Sequence, residues 1–117
     1  MPEPTVYHNP RCSKSRQTLE LLRERGFEPQ VVDYQKAPPT VAELGGILDM
    51  LGAEPLAVTR TQETLFKELG LSEDDDRSRS EWLQILHDHP KLIERPIVVH
   101  GDRAAIGRPP ESVLALL

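Results

Sequence analysis

Only one cysteine, Cys12, occurs among the 117 residues. That excludes a disulfide within the chain and any metal site built from several thiolates. No stretch comes near the roughly 18–20 consecutive apolar residues of a membrane-spanning helix. The opening Met-Pro-Glu-Pro-Thr lacks the basic and then apolar run of a secretory leader. A lone thiol with no leader is expected in a reducing cytoplasm. A basic excess is missing too. The net charge is -5, whereas a domain that grips nucleic acid usually carries a basic face. Internal repeats, low-complexity tracts and domain-splitting linkers are also absent. One domain over residues 1–117 is therefore expected, long enough to bury a core.

What charge there is, is unevenly spread. Residues 37–94 hold five Lys/Arg against twelve acids, while residues 1–36 hold six against five and residues 95–117 three against two. The two ends suit an anion site and the middle reads as solvated acidic surface. The window His8-Asn9-Pro10-Arg11-Cys12-Ser13-Lys14-Ser15-Arg16 contains three Lys/Arg and no acid. It lies between a strand-like run, Thr5-Val6-Tyr7, and a helix-like run from about Ser13. A thiol at a helix N-terminus meets the positive end of the dipole and unpaired N–H groups, which favour the thiolate. The same groups form an anion pocket. Nucleophile and oxyanion cradle are thus expected at one place. Basic residues in a first helical turn are disfavoured by the dipole, which fits an anion being held there.

Leu19 and Leu22 at helical spacing, with Gly26 as a stop, predict a helix over 13–25. Gln30–Tyr34 reads as a second strand, giving a β-α-β unit with parallel strands. Thr40-Val41-Ala42-Glu43 fits a capping box. It opens a helix bearing Val41, Leu44, Ile47, Leu48 and Leu51, ended by Gly52. A shorter helix is expected over about 62–69, with Leu65, Phe66 and Leu69 and a stop at Gly70, Phe66 and Trp82 being core residues of the insertion. Ser78-Arg79-Ser80-Glu81 is a second capping box, leading through Trp82, Leu83, Ile85 and Leu86 to a stop at Pro90. Pro96–His100 and Arg103–Ile106 flank Gly101-Asp102, a hairpin signal. Pro109-Pro110 begins a short C-terminal helix with Val113, Leu114 and Leu117. Without the three middle helices the order is βαβ-ββα. The predicted class is α/β: a thioredoxin-like fold with a helical insertion (37–94) between the second and third strands. His87 and His89, two apart near a helix end, are poor ligand geometry, and no metal site is expected.

The window around Cys12 resembles the opening motif of the glutaredoxin-coupled arsenate reductase (ArsC) family. Four further segments agree in order: Thr59-Arg60-Thr61-Gln62-Glu63, Lys67-Glu68-Leu69-Gly70-Leu71, Arg95-Pro96-Ile97-Val98-Val99 and Gly107-Arg108-Pro109. The resemblance covers nearly the whole chain and marks a short member, without the C-terminal extension of longer ones. It implies that Cys12 is the nucleophile toward arsenate and that Arg60, Arg95 and Arg108 hold the oxyanion. It places His8, Asn9 and Ser15 beside the thiolate and Pro96 at the position of a cis proline facing the cysteine. It implies no bound cofactor, glutathione as co-substrate and glutaredoxin as partner. The three arginines are too far apart for spacing to show convergence, so their role rests on the resemblance. Glu63 could orient Arg60 or stand exposed in a helix turn.

Arginine forks suit a tetrahedral dianion through paired hydrogen bonds. Because no second cysteine is present, electrons for a reduction must come from an external thiol. A tyrosine phosphatase loop, Cys-x5-Arg, would need arginine at position 18, where Thr18 stands. A monothiol glutaredoxin would share Cys-x-x-Ser, but not the long helical insertion. Two other readings stay open: an oxidoreductase with another thiol-related substrate, and an Spx-like regulator that binds RNA polymerase. The latter typically carries Cys-x-x-Cys, and Ser15 occupies the second position here. Retention of Arg60, Arg95 and Arg108 favours the reductase.

Overall fold

Four strands, β1 (Thr5–His8), β2 (Gln30–Asp33), β3 (Ile97–His100) and β4 (Arg103–Ile106), form one sheet in the order β2-β1-β3-β4. The computed structural model describes residues 3–117. β1 and β2 are parallel, as the crossover through helix α1 (Ser13–Glu24) requires; β3 is antiparallel to β1 and to β4. This α/β architecture is thioredoxin-like, with the further helices inserted between β2 and β3. Gly101 opens the β3–β4 turn at φ 66°, while Asp102 keeps a negative φ. A positive φ at the first turn position alone matches the type II′ hairpin signal. Among the described residues no helix is long and apolar enough to cross a membrane.

The chain forms two compact units, one of residues 1–37 with 95–117 and one of residues 38–94. In the first, Val6 and Val98 from the sheet, Leu19 and Leu22 from α1, and Val113 and Leu116 form a buried cluster. Burying each such side chain fully stabilises the fold by about 1.5–3 kcal/mol before entropy is counted. The second unit holds α2 (Val41–Leu51), α3 (Thr64–Glu68) and α4 (Arg79–Asp88). Both capping boxes form in full: Thr40 with Glu43, and Ser78 with Glu81. Phe66 and Trp82 stack at 6.3 Å between ring centroids, with the Arg77 guanidinium over the indole at 5.8 Å. His87 Nδ1 bonds the Pro39 carbonyl oxygen at 2.9 Å, a structural role.

Some expected bounds give way to local chemistry. The helix expected over 62–69 is shorter because the 60–63 stretch is already a turn: Glu63 N–H donates to the Arg60 carbonyl at 3.1 Å, and Glu63 becomes the N-cap. Tyr34 leaves β2 for a turn in which Lys36 and Ala37 N–H groups donate to the Asp33 carbonyl, yet it is fully buried. The C-terminal helix is 3-10, over Pro110–Leu116. Its buried residues are Pro110, Val113 and Leu116, a spacing of three that a three-residue turn stacks in line and an α-helix spreads over about a third of its circumference. Leu117, expected on the apolar face, is 42% exposed. Two other 3-10 turns, Pro55–Val58 and Pro90–Leu92, had no sequence signal beyond their prolines.

Gly46 in α2 has open space where a Cβ would stand, and a Cβ on Gly45 would meet only Leu83 Cδ1 at an ordinary 3.6 Å. Gly46→Ala should therefore stabilise the protein by about 0.5–1 kcal/mol through helix propensity alone. Urea unfolding checks this; a lower midpoint in the variant would contradict the open environment.

Candidate active site

β1 delivers the chain into a loop that is stapled before the helix starts. Asn9 Oδ1 accepts the Arg11 N–H at 3.0 Å, the side-chain turn that asparagine favours. The Cys12 N–H donates to the Asn9 carbonyl at 3.0 Å, and the Asn9 N–H donates to Ser15 Oγ at 3.3 Å. Arg16 Nη1 donates back to the Pro10 carbonyl at 2.9 Å, closing the loop from the first helical turn. Cys12 is thereby fixed as the N-cap of α1, with no acid in the first turn and no formal cap bond from its thiol. The residue is 9% exposed.

Burial works against a thiolate there, yet the pKa of Cys12 lies below that of an ordinary thiol. The Ser15 N–H, the Arg95 guanidinium, the Lys14 N–H and the charge of Arg108 together outweigh desolvation. Arg108 Nη2 donates to Cys12 Sγ at 3.4 Å, and Arg108 Nε donates to the Arg95 carbonyl at 2.7 Å. The two arginines are thus linked to each other and to the sulfur. Each is followed by a cis peptide bond, to Pro96 and to Pro109.

His8 is buried at the end of β1, and its Nδ1 meets no hydrogen-bond partner among the described residues. Burial lowers its pKa from 6.5; Asp33 opposes, and Arg23 and Arg16 add to the lowering. Asn9 and Ser15 are buried within the loop staple, and Pro96 is buried ahead of β3. Seven of the eight residues singled out from sequence therefore belong to the unit of 1–37 and 95–117. Arg60 belongs to the other. There an antiparallel bridge between Thr59 and Ile93 brings two segments together. Arg60 Nε donates to Glu63 Oε1 and Nη1 to Glu94 Oε1, both at 3.0 Å. Glu63 thus does orient Arg60. Burial would lower the Arg60 pKa, but the two carboxylates raise it on balance. Glu94 lies 34 positions from Arg60 and carried no signal in the sequence. The unpaired N–H groups expected at the helix start are those of Ser15 and Lys14, whereas the Arg16 staple depends on one long side chain folding back and carried no signal.

Arg108→Ala and Arg95→Ala should each raise the Cys12 pKa, read from the pH dependence of iodoacetamide alkylation; an unmoved profile in both would mean that neither guanidinium acts on the sulfur. His8 is protonated more readily in the unfolded chain than in the fold, so stability should be full above about pH 6.5. It should fall as pH drops through 6.5 toward the lower folded value. Melting temperatures from pH 7.5 to 5.5 should fall more steeply for the wild type than for His8→Gln. Parallel curves would show that His8 does not carry the dependence.

The ArsC family model matches residues 7–116. A solved structure, an arsenate reductase from Vibrio cholerae, superposes with a TM-score of 0.94 at 47% identity, covering 98% of each chain. An arsenate reductase of Neisseria meningitidis serogroup B is 46% identical over the full length of both chains. The uncharacterized protein YfgD of Escherichia coli K12 is 50% identical over 113 residues, covering 96% of this chain and 94% of its own. With the family match running through the cysteine loop and all three arginine segments, this chain belongs to the ArsC family.

Proposed function

We propose that the chain reduces arsenate to arsenite, with Cys12 as nucleophile and with glutathione and glutaredoxin supplying the electrons. The observation that carries this reading is Cys12 itself: a buried thiol of lowered pKa, with Arg108 Nη2 3.4 Å from its sulfur. A low-pKa thiol is nucleophilic before substrate arrives. The relatives named arsenate reductase, near half identity over full length, support the choice of oxyanion. Arg95 and Arg108 would hold the dianion by charge-assisted hydrogen bonds. Arg60 enters the reading as the third arginine through the family match.

The chemistry balances with external thiols. The Cys12 sulfur bonds arsenic and one arsenate oxygen leaves as water, with no change in oxidation state. Glutathione displaces a second oxygen as water, placing its sulfur on arsenic. The glutaredoxin thiolate then attacks that sulfur. A disulfide forms between glutathione and glutaredoxin, the glutathione sulfur–arsenic bond breaks, and its electron pair stays on arsenic, now trivalent. Water releases arsenite and returns the Cys12 thiol. The lack of a second cysteine makes the external thiols necessary.

The test is arsenate-dependent NADPH consumption with glutathione, glutathione reductase and glutaredoxin. The wild type should turn over and Cys12→Ser should not. Equal turnover by Cys12→Ser would overturn the mechanism. No turnover by the wild type, with its low-pKa thiol intact, would move the reading to a thiol oxidoreductase with another substrate.

A further inference from the structure

Gly107 occupies a place with no room for a side chain. A Cβ built on it would lie 2.6 Å from Thr18 Oγ1 and 2.7 Å from Pro96 Cγ. Its φ is not positive, unlike those of Gly26, Gly52, Gly70 and Gly101. The glycine is therefore required for space rather than for a left-handed backbone. Neither neighbour can easily give way. Thr18 is fully buried on α1, its Oγ1 one bond from its own Cβ, and Pro96 Cγ belongs to a buried ring. Reaching ordinary contact at 3.4 Å from Thr18 would take a displacement of about 0.8 Å. Moreover, the Gly107 N–H donates to the Pro96 carbonyl at 2.9 Å, continuing the β3–β4 ladder by one bond. The next residue is Arg108, which reaches the Arg95 carbonyl and the Cys12 sulfur.

We propose that Gly107 is a positioning residue for the Cys12 thiolate: by passing between Thr18 and Pro96 without a side chain, it sets the backbone at the height from which Arg108 reaches both the Arg95 carbonyl and the sulfur. Both flanking contacts come from elements that carry the site. Thr18 lies on the helix that Cys12 caps, and Pro96 follows Arg95. Gly107 thus ties the hairpin to the helix at the point where the arginine must be aimed. Its consequence for turnover rests on the arsenate reading above; its consequence for the thiol does not.

The experiment is the alkylation pH profile of Gly107→Ala, run on protein shown to be folded by circular dichroism. The Cys12 pKa should rise toward that of Arg108→Ala, and in an Arg108→Ala background Gly107→Ala should add no further shift. A merely structural loss would lower the melting temperature and leave both profiles where they were. A folded Gly107→Ala with the wild-type profile would overturn the proposal, as would an undiminished shift in the Arg108→Ala background. Should the single variant not fold, Gly107→Ala/Thr18→Ala takes its place. It removes the 2.6 Å collision with Thr18 but keeps the one with Pro96 Cγ at 2.7 Å, so the backbone is still displaced; a raised thiol pKa supports the positioning role while a wild-type profile overturns it. Turnover is read separately. A shifted thiol in a family of variants whose wild type never reduces arsenate would sink the arsenate reading and leave the positioning role standing.

Discussion

Cys12 is a residue only 9% exposed, so a thiolate there would lose much of the water that solvates it, and the fold must replace that water with fixed positive charge and N–H groups. The helix start offers part of this through the Ser15 and Lys14 N–H groups. The rest comes from Arg95 and Arg108, carried in by the segments that flank the hairpin. Most other features of the first unit serve that arrangement. The loop staple through Asn9, Ser15 and Arg16 fixes where the sulfur stands, and the Arg108–Arg95 hydrogen bond fixes one guanidinium on the backbone of the other. Two cations so close repel each other unless negative charge lies between them, and the lowered pKa of Cys12 means that its sulfur carries that charge more readily than an ordinary thiol does.

The unit of residues 38–94 is built on different physics. Two complete capping boxes start its longer helices, and a Phe66–Trp82 stack fills its centre. Its acid excess is mostly solvated, but Glu63 and Glu94 are spent on Arg60. An oxyanion reaching that guanidinium has to compete with two carboxylates already bonded to it. Arg95 and Arg108, by contrast, both act on the Cys12 sulfur. The three arginines that look equivalent in a motif are therefore in unlike electrostatic states.

Much of the architecture was legible because it is local. Capping boxes at Thr40 and Ser78 are four-residue patterns, and the helices they open follow apolar spacing. The Gly101-Asp102 turn is a two-residue signal. The crossover between β1 and β2 follows from the length of α1. Departures fell where other contacts overrode such signals. The Arg60–Glu63 turn delayed α3, and a burial period of three made the last segment a 3-10 helix.

The order of residues alone was enough to place a single thiol at a helix start in a cationic loop, because the residues concerned are neighbours and their chemistry acts over one turn. It was also enough to exclude a resolving thiol within this sequence, which holds one cysteine. Which arginines meet that thiol was settled by tertiary packing. Arg108 lies 96 positions from Cys12, and no periodicity or spacing rule reaches so far. Packing also explains why Gly107 is glycine: the reason is the positions of Thr18 and Pro96, contacts made by setting a helix against a hairpin, whereas in the sequence Gly107 stands out only as part of the Gly107-Arg108-Pro109 segment.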